Sequence, residues 1–535
     1  MRDAEDIFDY VIVGGGSAGC VIASRLSERP DLRVLVLEEG PTDDILFIRA
    51  PGAFFRLIGS PRSFIYTTER EQAAKGRTLY VPQGRVLGGG GSINAMIYIR
   101  GDRQDYDGWR DGGCPGWGYD DVLPYFKMAE GNQRLSEPYH GAAGPLKVSD
   151  PPYHHPFSDA IVRAAQEVGI PYNDDFNGKS QLGFGFYQAT MANGERSSTA
   201  RGYLRPALGR PNLTLRLNTQ VRRILFESRR AVGVAVGGPG GAETRIAARR
   251  GVVLTAGALA TPKILMLSGV GPAAHLQEMG IPVVFDAPSV GGNYQDHLLV
   301  PTMATTRQPI SFTGQERGLN AVRHYLQWRF FRTGMLTSNV GECGGFVDLD
   351  GDGRADLQFI TSPLLMGDVD REPPPGHGLT INPQMVRPRS RGVVRLRSPR
   401  IDDPILFEGN YLQAQEDVDT LVKGVKLARR MMRAPSLAAI LTKEILPGPE
   451  DDIPDRVLED FVRQYAKTVF HPVGTCRMGS DAGAVVDTRL AVRGLENLIV
   501  GDASVMPTVN SGNTNAATVM IAERCAEFVR EGLAA

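Results

Sequence analysis

Short apolar runs near the N-terminus set the pattern of the chain. Phe8 to Val13 is a β-branched stretch bounded by glycines, which predicts a buried strand. Ser17 to Ser27 carries Val21, Ile22 and Leu26 at helical spacing. Arg33 to Leu37 holds Val34, Leu35, Val36 and Leu37 with scarcely a polar residue, as a central parallel strand reads. Residues 8–38 therefore predict one βαβ unit. Residues 41–210 are rich in Gly, Pro and aromatic residues and predict loops and short helices projecting from a core sheet. Asn212 to Leu217, Gln220 to Phe226 and Ala231 to Val236 read as successive strands, and Gly251 to Thr255 as another buried one. The texture changes over 301–464. Strand candidates at Leu357–Thr361 and Val393–Leu396 accompany a helix from about Glu416 to Met432, with Val418, Leu421, Val425 and Leu427 on closely spaced turns. A last strand, Leu498 to Val500, leads into a helix from Asn515 to Arg530.

Length and composition narrow this α/β reading. At 535 residues the chain exceeds one ordinary core, so more than one domain is expected. A formal net charge of −1 gives no field to draw it to nucleic acid. The densest basic stretch, Arg387, Arg389, Arg391, Arg395, Arg397 and Arg400, alternates with Val394 and Leu396 and reads as a solvated strand face. The five cysteines are odd in number and contain no C-x-x-C, which argues against a disulfide framework or a zinc site and for a reducing, cytoplasmic compartment. The eight histidines are scattered, and no metal site is expected. The N-terminus is acidic (Asp3, Glu5, Asp6) with no basic n-region or apolar h-region, so no signal peptide is read. The longest apolar stretch, Val252 to Val270, contains Pro262, Lys263 and several glycines. It reads as strand, turn and helix rather than a membrane span.

Five segments carry candidate chemistry. Gly14-Gly15-Gly16-Ser17-Ala18-Gly19 is a G-x-G-x-x-G between strand and helix, where backbone N–H groups and a helix N-terminus can meet a pyrophosphate. Glu38 ends the second strand at about the spacing of a ribose-binding acid. This unit does not distinguish NAD from FAD. Gly84 to Met96 contains four consecutive glycines flanked by apolar residues, which suggests backbone pressed against something flat or anionic. Gly257 to Gly271 follows a strand, with Pro262 at the opening of a helix and Gly269 closing it. Phe470-His471-Pro472 runs on to Gly474-Thr475-Cys476-Arg477-Met478-Gly479. Asp502-Ala503-Ser504-Val505-Met506-Pro507 precedes Asn513-Thr514-Asn515-Ala516-Ala517-Thr518. Either Asn513 or Asn515 could simply cap the helix that follows.

Together these segments resemble the glucose–methanol–choline (GMC) oxidoreductase family, from residue 8 to about residue 530. Within it the chain looks like the bacterial alcohol dehydrogenase branch, near choline, polyethylene glycol and sorbose dehydrogenases, with the sorbose type nearest. The resemblance implies a Rossmann-like FAD-binding domain (1–155, 195–300 and 465–535) and a discontinuous α+β substrate-binding domain (156–194 and 301–464). It implies FAD rather than NAD. Gly14, Gly16, Ser17, Ala18 and Gly19 would hold the pyrophosphate and Glu38 the adenosine ribose. Arg85, Gly89, Asn94, Ala95 and Met96 would line the flavin. The Val221 backbone would meet the adenine, and Ala256, Asp502, Ala503 and Thr518 would also touch the cofactor. His471 would be the base, Asn515 its partner across the substrate oxygen, and Val469 and Phe470 part of the substrate pocket. Some relatives tether the flavin through a histidine where this chain has Ile93, so non-covalent FAD is expected. The expected reaction is oxidation of a sugar, polyol or small alcohol, with electrons passed to a quinone, a dye or O2. An oxidase, a hydroxynitrile lyase with structural FAD and an inactive flavin-binding module are the alternatives. An NAD enzyme is the fallback if only the first glycine motif counts.

Overall fold

The computed structural model describes residues 7–237 and 243–532, so Asp3, Glu5 and Asp6 lie outside the described residues. Two sheets organise the chain. In the first, the strands run in the order Leu213–Arg216, Val34–Leu37, Ile7–Val13, Thr244–Leu254, Arg230–Val236 and Val221–Glu227. Leu498–Val500 pairs in parallel with the C-terminal half of Thr244–Leu254. The first four strands are mutually parallel, and Val221–Glu227 and Arg230–Val236 add an antiparallel meander. Val34 to Leu37 are all buried, as their unbroken apolar run requires.

Thr244–Leu254 is longer than its apolar part foretells. Its first half, Thr-Arg-Ile-Ala-Ala-Arg-Arg, is an amphipathic partner for Arg230–Val236. Its second half is the buried centre of the parallel sheet. The run at 212–217 also does not sit beside the two strands that follow it. Leu213–Arg216 crosses to the far edge and pairs with Val34–Leu37. Helices Ser17–Leu26 and Asn515–Arg530 pack together, and nearly every residue of the first is buried.

The second sheet is antiparallel, in the order Leu441–Leu446, Thr302–Thr306, Gly378–Met385, Leu357–Ser362, Cys343–Val347 and Gly183–Phe186. Helix Gln415–Arg433 packs on it, placing Val418, Leu421, Val422 and Val425 over Leu357, Leu379 and Ile381. Leu298–Leu299 pairs both with Gly378–Met385 and with Lys467–Thr468, which hands the chain back toward the first sheet. The segment after Thr468 therefore lies at the junction of the two sheets. Pro262 is the third residue of helix Ala260–Leu267 rather than its first, and Gly269 follows the helix with φ +82°. The arginines of 387–400 are not one solvated face. Arg387 pairs with Asp352 and Asp356, Arg395 donates to the Val290 carbonyl, and only Arg389, Arg391, Arg397 and Arg400 are exposed. All five cysteines are free and buried.

The strand-to-helix turn at Gly14–Gly19 has no room for a side chain at its end. A Cβ on Gly19 would lie 1.9 Å from the Gly14 carbonyl oxygen and 2.9 Å from Thr255 Oγ1. Gly19→Ala is expected to destabilise the protein by about 1–3 kcal/mol through overpacking. A thermal unfolding midpoint equal to that of the unsubstituted protein would contradict this packing.

Candidate active site

Three neighbouring parallel strands end at one place. Gly14 follows Val13, Thr255 and Ala256 follow Leu254, and Asp502 stands two residues beyond Val500. Ligands bind in this position in sheets of this kind, outside the carboxyl ends of the strands. The Thr255 hydroxyl donates to the Gly14 carbonyl at 2.8 Å. Asp502 binds three groups: it accepts from the Gly257 N–H at 2.9 Å, the Thr261 hydroxyl at 2.6 Å and the Ser504 N–H at 2.8 Å. Glu38 accepts from the Gly15 and Gly40 N–H groups at 2.8 and 2.7 Å. Its carboxylate thus pins the glycine turn and keeps lone pairs for a further donor.

The four-glycine run packs backbone to backbone against this turn. A Cβ on Gly89 (φ +53°) would stand 2.8 Å from the Gly16 Cα. Gly90 and Gly91 open a single helical turn, Gly90–Ile93, so half of the run is helical. Arg85 is tied to Glu39 at 3.2 Å and lies over the Phe64 ring. Asn94 Oδ1 accepts from the Met96 N–H at 3.0 Å and from Arg196 at 2.7 Å.

These elements enclose a cavity of about 1230 Å³ that runs from the glycine turns to the second sheet. Gly14, Gly16, Ser17, Ala18, Glu38, Arg85, Gly89, Asn94, Ala95, Met96, Val221, Ala256, Asp502, Ala503, Thr518, Asn515, Val469, Phe470 and His471 all line it, whereas Gly19 lies behind the turn. The space exceeds an ordinary small-ligand pocket, so a dinucleotide and a small substrate can share it. The donor set fits FAD. A Cβ on Gly90 or Gly257, both on the wall, would meet no protein atom within 4 Å, which leaves the backbone open to a flat or anionic group. Ile93 offers no nucleophile for a covalent link.

His471 stands where the cavity meets the second sheet. Its backbone N–H donates to Asp296 Oδ1 at 2.8 Å, and Phe470 before it is held at φ +68°, a region that a bulky residue enters only under constraint. Two hydrogen-bond chains fix its ring. His297, wholly buried, donates from Nε2 to the Val386 carbonyl at 3.1 Å. Its Nδ1 is therefore an acceptor, and it receives the Nδ1–H of His471 at 3.1 Å. In the second chain, Gln384 Nε2 donates to Gln358 Oε1 at 3.1 Å. Gln358 Nε2 donates to Asn513 Oδ1 at 3.1 Å, which turns Asn513 Nδ2 toward His471 Nε2 at 3.3 Å. Both chains leave Nε2 as the unprotonated nitrogen facing the cavity. Burial holds the pKa of His471 well below its ordinary value, and the neighbouring His297 adds to this. Burial likewise lowers His297 to about 4, and it pushes Asp296 up to about 7 against its hydrogen bonds from the His471 backbone and Tyr294.

Asn513, and not Asn515 as the family resemblance implies, stands opposite His471. Asn515 donates instead to Ser17 Oγ at 2.8 Å, at the glycine turn. The helix begins at Asn515 with Thr514 as its N-cap, so neither asparagine is the cap. Asn515 starts the rigid helix beside the helix that opens at Ser17, and Asn513 sits in the turn ahead of it, free to reach the base. His297, Asp296, Gln358, Asn339 and Asn382 were not foreseen. Asp296-His297 did carry a signal, two titratable residues directly ahead of the apolar Leu298–Val300, but nothing in the spacing ties residue 297 to residue 471.

The second sheet and its loops complete the wall with Leu299, Val340, Ile360, Met366 and the side chains of Asn339 and Asn382, beside Ile97. Both asparagines are buried, and both have their orientation set by a carbonyl. Asn339 Nδ2 donates to the Ala95 carbonyl at 3.0 Å and Asn382 Nδ2 to the Ile360 carbonyl at 2.9 Å. Their Oδ1 atoms are left without a protein donor.

Comparison with known proteins agrees with this architecture. Residues 8–299 match the N-terminal model described as GMC oxidoreductase, and residues 388–522 match the C-terminal model of the same description. The chain is 44% identical over 532 residues to an alcohol dehydrogenase [acceptor] of Pseudomonas putida, covering 98% of this chain and 96% of that protein. It is 41% identical over 537 residues to the mitochondrial choline dehydrogenase of Mus musculus, covering 98% and 90%. Among solved structures, the pyridoxine 4-oxidase from Mesorbium loti superposes with a TM-score of 0.89 at 31% identity, covering 98% of this chain and 99% of that one. With two family models spanning most of its length and relatives above 40% identity across nearly all of it, the chain belongs to the GMC oxidoreductase family.

Proposed function

We propose that this GMC oxidoreductase is an alcohol dehydrogenase that oxidises a primary or secondary alcohol bearing a second hydroxyl, with His471 as base. The observation that carries the reading is the place of His471 on the cavity wall, between two hydrogen-bond chains that make Nδ1 its donor and Nε2 its acceptor. The domain of the first sheet holds non-covalent FAD, and the domain of the second sheet holds the alcohol. When bound, FAD supplies the acceptor for the hydride that leaves the alcohol carbon. His471 Nε2 takes the hydroxyl proton as the carbonyl product forms, since hydride departs readily only if that proton leaves too. The alcohol oxygen replaces the Asn513–His471 contact: it gives its proton to His471 Nε2 and accepts from Asn513 Nδ2 while negative charge builds on it. His297 is a positioning residue that keeps the proton on Nδ1 of His471.

The wall supports a hydroxylated substrate. Asn339 and Asn382 offer two oriented acceptors among apolar side chains, and an unpaired buried acceptor favours a ligand that brings a donor. The dehydrogenase assignment follows the 44% identity to a protein named for its acceptor, with a quinone or dye as acceptor. The five buried thiols are consistent with a cytoplasmic, reducing compartment.

His471→Ala is expected to keep its yellow flavin and lose turnover roughly 10²–10⁴-fold. Full turnover would remove the base from the mechanism. Anaerobic alcohol should bleach the flavin of the unsubstituted protein, and an unbleached flavin would favour the lyase alternative.

The base must be neutral to act, and its pKa lies below the ordinary 6.5. The pH profile of kcat/KM should therefore hold its plateau down through pH 6.5 and fall only in more acid solution. An acid limb at or above pH 6.5 would contradict this. His297→Leu, which removes the Nδ1 acceptor, should lower kcat more than about tenfold with flavin content unchanged.

Asn382→Leu should lower kcat/KM for a vicinal diol about tenfold relative to a monohydric alcohol of equal length, the worth of one hydrogen bond. Equal effects on both would show that Asn382 does not read the second hydroxyl.

A further inference from the structure

The large apolar residues left exposed concentrate on one helix. Gly318–Phe331 touches the body of the protein along a narrow edge, where only His324 and Trp328 are buried. On the opposite side, Leu319, Val322, Leu326 and Phe330 are 87%, 53%, 45% and 69% exposed. Spaced i, i+3, i+7 and i+11, they fall within an arc of roughly 80° at about 100° per residue, facing away from Trp328. Arg323 and Arg329 flank this stripe. Arg317, at the N-terminal end, is paired with Glu316 at 2.9 Å, and no Asp or Glu occurs within residues 318–331.

This surface adjoins the rim of the active-site cavity. Trp328 packs with Ala50, Ala53 and Leu336. The turn Pro51–Leu57 that carries Ala53 also exposes Phe55, with Arg56 over its ring, while Phe54 lines the cavity. Asn339 and Val340, just beyond the turn Met335–Thr337, line it too.

A surface helix ordinarily turns its apolar stripe toward the core, and here the stripe is turned outward. We propose that this surface docks onto an anionic phospholipid bilayer, with Gly318–Phe331 lying in the plane of the interface. Leu319, Val322, Leu326 and Phe330 would enter the boundary between headgroups and acyl chains. Arg323 and Arg329 would meet lipid phosphates, which is the composition and charge placement of interfacial helices. Charge decides against a second copy as the occupant. Two such helices paired face to face would bring Arg323 and Arg329 of each close to those of the other, with no carboxylate within residues 318–331 to offset them. The attachment is one of lying on the bilayer, since among the described residues no helix is long and apolar enough to cross a membrane.

The test is co-sedimentation of the FAD-loaded enzyme with vesicles of phosphatidylcholine alone or mixed with phosphatidylglycerol, beside its oligomeric state in solution. The enzyme should pellet with the phosphatidylglycerol vesicles and be released by high salt. The double variant Leu326→Glu/Phe330→Glu should bind at least about tenfold less while its dye-linked alcohol oxidation without vesicles is unchanged. Arg323→Glu/Arg329→Glu should weaken binding to the anionic vesicles in the same assay. Failure of the unsubstituted enzyme to pellet with phosphatidylglycerol vesicles would overturn the proposal. So would a Leu326→Glu/Phe330→Glu variant that still binds vesicles but changes from dimer to monomer.

Discussion

The site depends on where one proton sits. A neutral imidazole is a base at one nitrogen only, and water would let it exchange freely between its two tautomers. Here the choice is taken away. The Val386 carbonyl can only accept, so His297 must donate to it and must accept from His471. From the other side, Gln384, Gln358 and Asn513 pass a direction along three carboxamides and deliver an N–H to the remaining nitrogen. Each chain begins on the Gly378–Met385 strand or just beyond it, so the second sheet sets the chemistry of a residue that it does not contain.

This arrangement is expensive to build. Two imidazoles are buried side by side, an acid is buried beneath them with its pKa raised, and the backbone of Phe470 takes a conformation that an unconstrained chain avoids. The flanking Rossmann strands and the helix-covered antiparallel sheet hold it in place, which is the usual relation between a rigid scaffold and a strained site.

Much of the first sheet was legible because its parallel strands are buried on both faces and so are nearly all apolar. The helix at Asn515–Arg530 and the strand at Leu498–Val500 were legible for similar reasons. The polar first half of Thr244–Leu254 was not, since an amphipathic edge of seven residues has no run to mark it. In the site, the glycine turns and His471 stood out because few residue types can serve there. Asn513 and Asn515 are chemically identical and two positions apart, and only the start of a helix between them decides which reaches the base. His297, Gln358 and Gln384 act through the tautomer and orientation of their neighbours, a property of three-dimensional contact that leaves no spacing in the chain.

The bond between Asn515 and Ser17 joins residues 498 positions apart, and the Arg25–Glu523 ion pair spans the same separation. During synthesis, the glycine turn therefore emerges long before the segment that closes it. At about 5–20 residues per second the interval is roughly 25–100 s. Through that time helix Ser17–Leu26 lacks the helix that covers it, and for about the last half of it the strand Thr244–Leu254 lacks its neighbour Leu498–Val500. The nascent chain thus carries an unfinished parallel sheet with an open edge until Leu498–Val500 and helix Asn515–Arg530 have been made, which makes their docking the closing step of folding and their loss costly out of proportion to their length.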